Sequence, residues 1–95
     1  MNTDFDEVIL ENYISCIKSR KTCILEMEHL KKNIYHQGYE FQYQIHQNYL
    51  RNLQENLSCL EKSLPKQLVK EIKSRNMSYL RKNLPMHLLN EMEYL

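Results

Sequence analysis

The chain has 95 residues, a single glycine, two prolines, no tryptophan and a formal net charge of +1. That length allows one small domain or a segment of a longer protein, and so little glycine excludes a loop-rich or many-stranded fold. The near-neutral balance gives no bulk electrostatic reason to bind nucleic acid or membrane, but the charge is unevenly placed. Asp4, Asp6, Glu7 and Glu11 make the start acidic, whereas seven basic residues between Lys62 and Lys82 face Glu71 alone.

Residues 5–35 predict a first helix. Ile9, Tyr13, Cys16, Arg20, Cys23, Met27, Leu30 and Ile34 alternate in steps of four and three, the spacing of a helical seam. Leu10, Ile14, Ile17 and Ile24 form a second stripe beside it. Together they make an apolar face wider than a two-stranded coil needs, one that fits a bundle of three or more helices. Asp4, with Glu7 three residues on, reads as the N-cap of a capping box.

The stretch 38-GYEFQYQI-45 alternates apolar and polar residues like a half-buried strand. A lone strand would leave its backbone groups unpaired, so helix is the preferred reading. From Tyr43 the seam resumes through Leu50, Leu53, Leu57, Leu60 and Leu64, with His46 at the missing position. Its phase slips by two residues across Gly38. That slip requires a hairpin turn, a kink or a skip in a continuous coil, and the sequence leaves the three open.

The last third is a near-repeat. Leu64-Pro65-x-x-Leu68-Val69-x-Glu71-Ile72 recurs twenty residues later as Leu84-Pro85-x-x-Leu88-Leu89-x-Glu91-Met92. Each proline suits a first helical position, which predicts two short helices over 66–82 and 86–94. The expected architecture is therefore all-α: a coiled-coil-forming helix or helical hairpin over 4–63 with a break near Gly38, then two short helices over 64–95.

Catalytic chemistry finds no foothold. Three cysteines, an odd number without a CxxC pair, point to free thiols in a reducing compartment, the cytoplasm or nucleus. The acidic start is unlike a signal or transit peptide. His29 and His36, seven apart, have no cysteine at zinc spacing. Cys16 and Cys23 lack an activating partner in the pattern and read as small core fillers. We expect no enzyme, no cofactor and no metal. Lys66, Lys70 and Lys73 share a helix face and are candidates for contact with an acidic partner or with nucleic-acid phosphate, against the plainer reading of a solvated face.

Glu40-Phe41-Gln42-Tyr43-Gln44, followed by Leu50, Leu53, Glu55 and Leu57, resembles the N-terminal coiled coil of the first subunit of the spindle and kinetochore-associated (Ska) complex. Leu80-Arg81-Lys82-Asn83-Leu84-Pro85-Met86-His87-Leu88 is similar to a second stretch of that family. The match comes in two pieces and leaves residues 1–35 outside it. The resemblance implies a non-enzymatic subunit whose helices bundle with two partner subunits into a heterotrimer that dimerises. Microtubule contact would then come through the parent complex, at the spindle and kinetochore. The apolar seam would carry assembly, and the residues expected to bind partners are Tyr13, Met27, Leu30, Ile34, Tyr43, Leu50, Leu53, Leu57 and Leu60. A different adaptor role is also in view, because Leu84-Pro85-x-x-Leu88-Leu89-x-Glu91-Met92-x-x-Leu95 is similar to the opening of an F-box, which docks on a ubiquitin-ligase adaptor.

Overall fold

A computed structural model of the chain describes residues 5–32 and 38–93. It is all-α, with α1 over Glu7–Lys32, α2 over Tyr39–Lys62, α3 over Lys66–Ser74, α4 over Met77–Asn83 and α5 over Met86–Met92. Helices α1 and α2 are antiparallel: Tyr13 near the start of α1 reaches Glu61 near the end of α2, whereas Glu26 reaches His46. The chain therefore reverses between them, which selects the hairpin among the three readings of the phase slip. Gly38 sits immediately before α2 at φ 87°, ψ 4°, and its carbonyl accepts the Gln42 N–H at 3.0 Å. That left-handed conformation is open to glycine at little cost. The alternating stretch 39–45 is helix, and Tyr39 and Tyr43 stack one turn apart, with centroids at 5.7 Å.

The start of α1 is capped by Asp6, two residues after Asp4, which lies outside the described residues. Asp6 accepts the Val8 N–H at 2.9 Å, satisfying a donor that the first turn leaves without a helical partner.

The expected helix over 66–82 is two helices. Helix α3 ends with Arg75 at φ 55°, ψ 43°, the Arg75 N–H donates to Ile72 O, and the Asn76 N–H donates to Glu71 O at 3.0 Å. This pair of bonds is the Schellman ending, usually built on glycine. Asn76 then starts α4 by accepting the Tyr79 N–H on its side chain at 3.3 Å. Its amide nitrogen donates to the Glu71 carboxylate, whose other oxygen accepts from Gln67 at 3.0 Å. Glu71 is buried, and these two amides satisfy its charge-bearing oxygens. Pro65 and Pro85 occupy the N-cap positions of α3 and α5, one residue earlier than the first helical position.

Both copies of the near-repeat bury the same apolar places. Leu64, Leu68, Val69 and Ile72 in one, and Leu84, Leu88, Leu89 and Met92 in the other, join Leu10, Tyr13, Ile14, Leu57 and Leu80 in one core. This core lies at the open end of the hairpin, where α1 begins and α2 ends. Here α3–α5 pack with the start of α1 and the end of α2 as a five-helix base, from which α1 and α2 continue as a two-helix arm in a molecule 53 Å long and 23 Å wide.

Candidate interaction surface

The second stripe of α1 records the change from base to arm. Leu10 and Ile14 are buried, Ile17 is half-buried and Ile24 is exposed. A face wide enough for three or more helices is covered where α3–α5 lie against it and open beyond them. In the arm, Cys23 and Leu53 are buried apart from the main core. Lys31 Nζ lies 5.8 Å above the Tyr43 ring, a cation–π contact between the two helices.

One side of the arm is a trough. A concavity of about 410 Å³ is lined by Ser15, Lys18, Ser19, Thr22, Cys23, Glu26, Ile45, His46 and Tyr49. A second, also about 410 Å³, is lined by Thr22, Leu25, Glu26, His29, Leu30, Gln42 and His46. Thr22, Glu26 and His46 line both, so the two adjoin along the arm. The flanks are apolar and wet: Leu25 is 55 % exposed, Ile45 49 % and Tyr49 49 %, and Phe41, beyond the trough, is 69 % exposed. Phe41, Ile45 and Tyr49 follow one another at four-residue steps and share one side of α2.

At the waist of the trough, His46 ties the helices together. Its Nδ1 lies 2.8 Å from the Gln42 carbonyl and its Nε2 2.7 Å from Glu26 Oε2. Both partners are acceptors, so the doubly protonated imidazolium fits them best. The carbonyl of Gln42 first, and then the Glu26 carboxylate, raise the His46 pKa against a smaller opposing effect of burial. Cys23 donates to the His46 carbonyl at 3.3 Å, and burial, with the Glu26 charge, raises its pKa. Cys23 is thus held as a thiol, the reverse of what a nucleophile needs.

The expected partner-binding residues fall into three groups. Tyr13, Leu53 and Leu57 are buried within the chain. Met27, Leu30, Tyr43, Leu50 and Leu60 are half-buried between helices, with edges open to solvent. Ile34 lies outside the described residues. Tyr13 also donates its hydroxyl to Glu61 at 3.3 Å, and Glu61 receives Lys73 at 3.0 Å, which joins α1, α2 and α3. Burial and the Glu61 charge raise the Tyr13 pKa, so the hydroxyl stays protonated. The flank residues Leu25, Phe41, Ile45 and Tyr49 lie off the heptad seam. The signal that finds them is the surplus of apolar residues beside a seam that two helices already fill.

Elsewhere, Lys66 and Lys70 are exposed, and Lys73 is engaged with Glu61. The apolar residues of the F-box-like stretch, Leu84, Leu88, Leu89 and Met92, are in the core. Glu7, Glu11 and His87 bring ligand atoms within 4.8 Å of one another, all three exposed. The His87–Glu11 contact of 3.3 Å accounts for that grouping as a solvated pair. His36 lies outside the described residues. No described helix is long and apolar enough to cross a membrane. No protein-family model, curated protein or solved structure matches the chain.

Proposed function

We propose that the chain is a non-enzymatic assembly subunit whose α1–α2 arm takes up a helix from another protein chain. The observation that carries this reading is the trough flanked by Leu25, Ile45 and Tyr49, with Phe41 beyond it, on the part of the hairpin that α3–α5 leave uncovered. Exposed aromatic and aliphatic residues at helical spacing are the anchors by which an amphipathic helix seats in a groove. Apolar patches rimmed by polar groups commonly mark such contacts. The resemblance of residues 40–57 and 80–88 to the first Ska subunit supplies the context. In that reading the complex acts at the kinetochore–microtubule interface, and the partners are the two other subunits.

The test is co-expression of the full chain with the second and third Ska subunits, followed by size-exclusion chromatography. A stoichiometric complex is expected. The exposed double substitution Ile45→Asp, Tyr49→Asp should abolish it while leaving the circular dichroism of the chain unchanged. No complex with the wild-type chain, or an equally good complex with the double variant, refutes the reading.

A further inference from the structure

We infer that the basic surface of residues 62–82, from the end of α2 through α4, is a second docking surface, separate from the arm, and that its partner is a carboxylate-rich polypeptide segment. From Lys62 to Lys82 the chain carries seven basic residues and one acid, a formal +6, in a protein whose total is +1. The remainder is therefore −5, so the charge is segregated.

The structure takes Lys73 out of this set, since Glu61 pairs with it at 3.0 Å. It takes the only acid out as well, because Glu71 is buried and its oxygens face the side-chain amides of Gln67 and Asn76. Lys62, Lys66, Lys70, Arg75, Arg81 and Lys82 are all exposed, and none has an ion-pair partner among the described residues. Concentrated like charge opposes itself and draws a partner of opposite sign.

The chemistry of the face selects among polyanions. Four of the six cations are lysines, whereas bidentate phosphate recognition favours arginine. Tyr79, the sole aromatic residue of the segment, packs against the core, which leaves no platform for stacking bases. Leu68, Val69, Ile72 and Leu80 are buried, so this face has no apolar side to sink into a lipid surface. Diffuse lysine charge on short helices suits an acidic peptide.

Binding is measured by fluorescence anisotropy on the full chain with a labelled oligoglutamate peptide, and in parallel with a DNA duplex of equal charge, at low and physiological salt. The peptide should bind more tightly than the duplex and weaken as salt rises. Lys66→Glu with Lys70→Glu should weaken peptide binding roughly tenfold, the sum of two reversed surface charges. Lys21→Glu with Lys32→Glu, on the arm, should leave it unchanged. No peptide binding at low salt, tighter binding of the duplex, or an unaffected Lys66/Lys70 variant overturns the inference.

Discussion

At the scale of single residues, two side chains hold conformations that the rest of the fold imposes. His46 fills the gap in the leucine seam because it bonds across it, from Gln42 on its own helix to Glu26 on α1. Its folded pKa is raised. The stabilisation is therefore fully present below the unfolded value, about 6.5, and is lost as pH rises through the folded value. Denaturant melts followed from about pH 6 to about pH 8 should show stability falling as pH rises, and His46→Gln should flatten that slope. A slope unchanged by the substitution would contradict the latch. Arg75 holds a left-handed backbone that costs a side-chain-bearing residue roughly 1–2 kcal/mol. Arg75→Gly should raise unfolding stability by about 1 kcal/mol, somewhat less than that cost because glycine also loosens the unfolded chain; urea titration reads it directly. The left-handed turn was hidden in the sequence because glycine, its usual marker, is absent there. Asn76, a favoured N-cap, was the available sign of a new helix start.

At the scale of elements, the seams predict helices and the pairing follows from them. The alternating aromatic stretch 39–45 resolves as helix because α2 satisfies its backbone internally and α1 shares its inner face. The near-repeat was legible as two helix starts. Its division into three helices was not, because Tyr79 and Leu80, seven and eight residues after Ile72, resume the helical register beyond Arg75 and Asn76. Burial also changes what a substitution tests. Leu57 lies in the base core, so Leu57→Ala should cost roughly 2–5 kcal/mol in a thermal or urea melt. Ile45, half exposed on the arm, should cost far less. Aspartate at Leu53 and Leu57 would accordingly damage the fold before it reported on assembly, which is why Ile45 and Tyr49 are the informative pair. Equal destabilisation by Leu57→Ala and Ile45→Ala would mean the division into base and arm is wrong.

At the scale of the whole molecule, one chain solves its packing problem at one end and leaves it open at the other. The width of the α1 face announced a bundle of three or more helices. It could not announce that α3–α5 would cover only the first turns, because that depends on where three short helices fold back. The five-helix base has a contiguous core. The arm has Cys23 and Leu53 buried between two helices and a wet apolar trough beside them. Two helices with so little enclosed surface are weakly held, because helical stability in proteins comes mainly from tertiary packing. The base orients the arm, and the arm presents the trough.

Hydrogen exchange on the isolated full chain, resolved by segment, tests this division most directly. Backbone amides of α3–α5 and of the base ends of α1 and α2 should be protected together as one cooperative unit. Those of residues 18–32 and 39–52 should exchange well before them. Uniform protection along both long helices, with no difference between the two ends of the hairpin, would contradict the account.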